Sequence, residues 1–243
     1  MNRRGYVSNE LVHWTGRGKS NEHAFSILRT ICDEESLRLS YCPTYVHPDF
    51  QQKPEMVCFT DIPLKHSHEH CNIFGKFGIG FKKSTMIRYG ANPVLYTTGM
   101  HFDRIKHINS FLKRMKDLEK DREWRAEMEP YTFTEDETVA LREVTEFLQE
   151  YSYKNRDEED YVTYHQREWR VAFSSLPFAG GGMSQLPGMS GIYIRNESPH
   201  KILKFSPDDV EFIVVPIRFW WAARKVGKSL NCKVKVYEFA VGG

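Results

Sequence analysis

A histidine and a hydroxyl stand two residues apart in His13-Trp14-Thr15, at the close of a β-rich run and just ahead of the turn-prone GRGKSN. Side chains alternate along an extended strand, so His13 and Thr15 share a face and can both hydrogen bond a sugar hydroxyl or an amide. Far along the chain, Glu168-Trp169-Arg170 opens another β-rich run. A carboxylate at a strand edge, facing the same cleft, would steady the positive charge that develops on a sugar ring as an N-glycosidic bond breaks. Between the two, CFTDIPL (58–64) closes a third run and adds Cys58 and Asp61. Plainer roles compete with each of these. His13 reads equally as a satisfied core histidine, Thr15 as the cap of the next turn, and Asp61 as a turn former ahead of Pro63. Cys58 fits a small buried hydrophobe. Glu168 and Arg170, two apart on one strand face, fit a surface ion pair worth about 0–1 kcal/mol.

Other chemistries find less support. The segment HSHEHC offers His66, His68, His70 and Cys71, with Cys58 nearby in sequence, but no distant second pair closes a zinc tetrahedron, so no metal is expected. Walker-type and dinucleotide glycine motifs are missing, as are HExxH and GxSxG. In GKFGIGF (75–81) the alternating glycines suit a strand lying close against its neighbours.

The elements that must position these groups follow from apolar spacing. Strands are expected at Tyr6–Trp14, Ser36–Ser40, Val57–Thr60, Phe77–Phe81 and Pro93–Thr98, and again at Trp169–Ser174, Gly191–Arg195, Glu211–Pro216 and Val234–Phe239. Ala24, Phe25, Ile27, Leu28 and Ile31 predict a helix over Glu22–Cys32, capped by Ser20 or Asn21. A His-rich loop is expected before Phe77, and AGGGMSQLPGMSG (179–191) reads as a flexible loop. Residues 101–160 change character. One helical face there carries Ile105, Ile108, Phe111, Leu112 and Met115; a second, capped by Thr134, carries Leu141, Val144, Phe147, Leu148 and Tyr151. The chain therefore reads as a single α+β domain over residues 1–243, with a helical insertion at 101–160.

Composition bounds the partners. With 40% hydrophobic and 27% charged residues the chain is globular rather than disordered. At 243 residues it can bury about 70–75% of its unfolded surface without staples. The longest apolar stretch, Phe212–Ala223, is broken by Pro216 and Arg218 and falls short of the ~20 residues of a membrane span. No secretory signal is expected from MNRRGYVSNE. Five cysteines without a CxxC pair suit a reducing, cytoplasmic setting. The net charge of +2 hides an asymmetry: residues 113–160 carry −7 and residues 200–243 carry +4. A solvated acidic element on a mildly basic body explains it, and so would a body that meets phosphates.

Taken in order, LVHWTGR, MVCFTDIPL, FGKFGIGFKK, NPVLY and REWRVAF resemble the AbiGi-type abortive phage-resistance proteins and, more distantly, the ADP-ribosyltransferase fold. The resemblance covers most of residues 10–98 and 165–216. It implies split antiparallel sheets gripping NAD as a substrate, and a toxin that transfers ADP-ribose to a nucleic-acid base, in RNA or DNA, or to a protein. In that arrangement His13 holds the adenosine ribose, the Trp14 backbone and Thr15 hold the nicotinamide amide, and Arg17 reaches the pyrophosphate. Phe77 or Phe81 stacks on nicotinamide, and Glu168 is the catalytic residue, bonding the nicotinamide-ribose 2′-hydroxyl and stabilising the transition state. The same resemblance also implies an alternative: a non-catalytic binding or antitoxin module that pairs with a cognate partner protein of a toxin–antitoxin system.

Overall fold

The structure, a computed structural model, describes residues 8–42, 54–98, 144, 146–154, 160–172 and 201–236. Strand β1 (Glu10–Thr15) leads into helix α1 (Asn21–Glu34), then the short β2 (Ser36–Arg38) and β3 (Ser40–Tyr41). Next come β4 (Glu55–Thr60), α2 (His68–Phe74), β5 (Phe77–Lys82) and α3 (Lys83–Arg88). Two short strands follow, β6 (Asn92–Pro93) and β7 (Leu95–Thr97). The second half holds β8 (Leu148–Glu150), β9 (Ser152–Lys154), β10 (Asp160–Val162) and β11 (Glu168–Ala172). It continues with β12 (Ile202–Lys204), β13 (Val210–Val215), α4 (Trp220–Ser229) and β14 (Lys233–Val236). The molecule is a mixed α+β fold built on one large sheet.

That sheet has eight strands in the order β14-β13-β5-β1-β4-β11-β6, with β3 also paired to β4. The resemblance implies antiparallel sheets; here β13 and β14 are parallel. The reason is local: α4 lies between them in sequence and carries the chain back across the sheet, as a parallel connection requires. β1 shares six residue pairs with β5 and β4 shares five with β11, yet β1 and β4 meet in register at one pair, Val12 opposite Thr60. A seam therefore divides the sheet into a β1–β5–β13–β14 half and a β4–β11–β6 half.

Alternation sorts the strands into two faces. Leu11, Phe59, Phe77, Ile79, Phe81, Val171 and Ile213 lie on one face, all 0–1% exposed, under Ala24 and Leu28 of α1 and Ala223 and Val226 of α4. Each fully buried Leu, Ile or Phe contributes roughly 1.5–3 kcal/mol, so this cluster is the main source of stability. The opposite face carries Val12, Trp14, Phe212 and Val214 beneath α2. The glycines of β5 make that second layer possible. A Cβ at Gly80 would sit 2.4 Å from the Phe212 ring, and one at Gly78 would sit 2.9 Å from Trp14. Aromatic rings, rather than the neighbouring backbone, take the space that the alternation leaves.

Helix α1 starts where its cap predicts: the Ser20 hydroxyl accepts from the His23 N–H at 3.3 Å. Two expectations fail. The segment before Phe77 is helical, because the Cys71 N–H donates to the Ser67 carbonyl and the Ser67 hydroxyl donates back to Ile62 and Pro63 carbonyls. The helix expected through Tyr151 has given way to extended chain by Leu148. There β8 pairs in parallel with β7; the Leu95 N–H donates to Phe147 O and the Tyr151 N–H to Thr97 O, each at 2.7 Å. Tertiary pairing outweighs a modest helical preference. Residues 101–143, the strand expected at Gly191–Arg195 and the loop at 179–191 lie outside the described residues.

Candidate functional site

His13 sits at the seam. Its Nδ1 lies 2.9 Å from the Cys58 carbonyl, which can only accept, so Nδ1 carries the proton. The ring also meets Phe59 edge-on, with centroids 5.9 Å apart. Burial lowers its pKa below the usual 6.5, outweighing the Cys58 carbonyl, which pulls the other way. The imidazole is therefore a neutral bridge between β1 and β4. The Cys58 thiol is held well above its ordinary value, by its contact with Cys42 and then by burial, which suits packing rather than attack.

The rest of the first motif is built into the frame. Thr15 is buried, and Gly75, at φ +117°, passes so close that a Cβ there would lie 2.1 Å from the Thr15 carbonyl oxygen. Trp14 is packed with Val12, Cys71, Phe212 and Val214, and its indole Nε1 has no hydrogen-bond partner among the described residues. Arg17 is exposed, its guanidinium 5.9 Å from the centre of the Phe74 ring. Phe77 and Phe81 are wholly buried. Phe77 packs its ring against Phe25 and Phe219, and Phe81 against Phe59 and Phe205.

Glu168 is held by a fork. Arg170 Nε donates to Oε1 at 3.0 Å and Nη2 to Oε2 at 3.1 Å. The same guanidinium donates to the Glu146 carbonyl at 2.7 Å and to Gln149 Oε1 at 2.9 Å. Arg170 is 4% exposed and Glu168 13%, so the surface ion pair that the spacing suggests is in fact a buried one. Burial works against the Arg170 charge, but Glu168 more than offsets it and holds the group above its ordinary pKa. The backbone N–H of Glu168 donates to the Tyr96 hydroxyl at 3.0 Å.

Register fixes how these groups relate. Thr60 lies opposite both Val12 and Glu168. Val12, Thr60 and Glu168 therefore share one face, while His13 and Thr15 point to the other. His13 and Glu168 lie on β1 and β11, with β4 between them, and on opposite faces of the sheet.

A second polar centre was not visible in the spacing. Asp61 is 5% exposed and accepts from the Ser8 N–H at 3.1 Å and from Lys83 Nζ at 2.7 Å. Arg167 Nη2 approaches the same carboxylate at 3.5 Å, and the Asp61 N–H donates to the Arg167 carbonyl. Asp61 thus ties the end of β4 to the start of β1, the start of α3 and the approach to β11. In α2, His70 Nε2 lies 3.2 Å from the Gln166 carbonyl and burial lowers its pKa. Among the described residues, no group of three or more His, Cys, Asp or Glu converges on a metal site.

All five cysteines are free, and no helix of the described residues is long and apolar enough to cross a membrane. No match is found among curated proteins or solved structures. A family model does match, over residues 26–216, and its description reads "Putative abortive phage resistance protein AbiGi, antitoxin". That span runs from within α1 to the end of β13 and takes in β4, Asp61 and the Glu168–Arg170 fork but not β1, and the chain belongs to the AbiGi family.

Proposed function

We infer that this chain is an antitoxin of abortive phage resistance, which restrains a partner toxin by binding it. The observation that carries this reading is the state of Glu168. Its carboxylate is occupied by a buried bidentate arginine and faces away from His13. An acid so held supports a structural role, since stabilising a developing oxocarbenium charge needs a carboxylate aimed at the sugar. The family description points the same way. Neutralisation is tested by expressing the chain with the product of the neighbouring toxin gene. Rescue of growth and co-purification are expected; toxicity of this chain on its own would sink the reading.

The seam favours a second reading, an ADP-ribosyltransferase that consumes NAD. The junction of β1 and β4, which meet in register at one pair and are bridged by His13, is where such a cleft would have to open. His13, the Trp14 backbone, Thr15 and Arg17 would then hold the dinucleotide, Phe77 or Phe81 would stack on it, and RNA, DNA or a protein would accept the ADP-ribose. Glu168 would first have to leave Arg170, and the two phenylalanine rings would have to leave the core. Incubation with NAD separates the readings. The antitoxin predicts no nicotinamide release, with or without nucleic acid. Release that Glu168→Ala abolishes in a folded protein would establish the enzyme.

A further inference from the structure

The chemistry left over lies on α4. Ala223, Val226, Gly227 and Leu230 turn inward, and the helix lies close enough to β14 that a Cβ on Gly227 would come within 2.7 Å of Val234. The outward stripe is Trp221, Arg224, Lys225 and Lys228, spaced i, i+3, i+4, i+7 on one face. Trp221 is 75% exposed. Its ring stands edge-on to Trp220 with centroids 4.8 Å apart, and the Arg224 guanidinium lies 4.9 Å from the Trp220 ring centre and 5.5 Å from that of Trp221. Together with Cys232 and Val234 these residues line an open groove of about 750 Å³ that holds, among the described residues, three cations and no carboxylate.

We propose that this groove binds single-stranded nucleic acid, with Trp221 as the stacking platform for a base and Arg224, Lys225 and Lys228 as contacts to the flanking phosphates. Every base has a π-face, so an exposed indole set among cations binds single strands with little sequence preference. A duplex would keep its bases stacked on one another and offer the indole nothing. An acidic polypeptide would meet the cations equally well but would leave the ring unused. Protein hot spots bury their aromatics within an apolar, water-excluding surround, whereas this indole is open and rimmed by charge. The site is separate from the seam and does not depend on how the toxin is held.

The test is fluorescence anisotropy of a labelled 20-nucleotide oligouridylate, and of the matching oligothymidylate, with the full chain. Binding is expected to quench tryptophan emission and to weaken with salt at a log–log slope of about −2, from three phosphates at ~0.7 each. Trp221→Ala should weaken binding about tenfold, within the range for loss of one base–aromatic stack. Trp221→Phe should recover most of that loss and Trp221→Leu should not. Lys225→Glu should weaken binding, while the same charge change at the exposed Lys65, which lies with Val12 and Phe212 on the opposite face of the sheet, should not. Unchanged affinity in Trp221→Ala, equal loss in Lys65→Glu, equal binding to a duplex, or displacement by polyglutamate as readily as by unlabelled oligonucleotide would each overturn the proposal.

Discussion

The two halves of the sheet share one apolar cluster, through Phe59 and Val171 as well as Phe81 and Ile213, and differ in what is added to it. On the β5–β13 side, Ile79, Phe81, Ile213 and Val214 are fully buried, and the Trp14 and Phe212 rings pack against Gly78 and Gly80. Cohesion there is non-directional and scales with area. On the β4–β11 side, Arg170, Glu168, Gln149, Asp61 and Lys83 form charge-assisted hydrogen bonds that depend on angle and on every partner being present. The first half should tolerate a change of chemistry that keeps volume. The second should tolerate a change of volume only where charge stays matched.

The sharpest way to break this contrast is Arg170→Met, which strands Glu168 and frees the Glu146 carbonyl and Gln149. A loss of about 3–5 kcal/mol is expected in urea denaturation, as when one member of a buried pair is removed. Adding Glu168→Leu to it should restore much of the stability; if the double variant is no better than the single, the fork is not the organising element. In the apolar half, Ile79→Ala should cost about 2–4 kcal/mol through the cavity left behind, with no comparable dependence on a charged partner. Gly80→Ala should cost less, about 1–3 kcal/mol, because the Phe212 ring must shift to admit one methyl.

The smallest effect is a pH dependence at the junction of the halves. His13 and His70 both titrate below 6.5 in the folded protein, above all because they are buried. The unfolded chain therefore takes up protons at a higher pH than the folded one. Stability should be steady above about 6.5 and fall as the pH drops through that value toward the folded pKa values. Melting temperatures recorded from pH 7.5 to 5 check this, and His13→Gln should flatten the slope; an unchanged slope in that variant would remove His13 as a contributor.

Much of the frame was legible in the chain. The β-rich runs ELVHWT and VEFIVV and the alternating glycines of FGIGFK gave β1, β13 and β5 within a few residues, and Ser20 marked the start of α1. The helix expected through Tyr151 misled because its spacing is real; what decides that stretch is pairing with Leu95–Thr97, about fifty residues away. The Glu168–Arg170 pair was readable as a pair, but its burial was not, since Glu146 and Gln149 reach it from more than twenty residues upstream. Asp61 looked like a turn residue because Ser8 and Lys83 are joined to it only by the fold. The stripe on α4 did leave a signal, a Trp-Trp pair flanked by cations in RFWWAARK, but its apolar half reads equally as core.

The lone backbone match between Val12 and Thr60 has a mechanical consequence. A sheet stitched tightly on either side of one loose stitch flexes there first, as two stiff plates rock about a shared crease. Because the His13 imidazole spans that crease through a single hydrogen bond, a partner pressing on either plate could change the angle between them without tearing the rows of bonds within each.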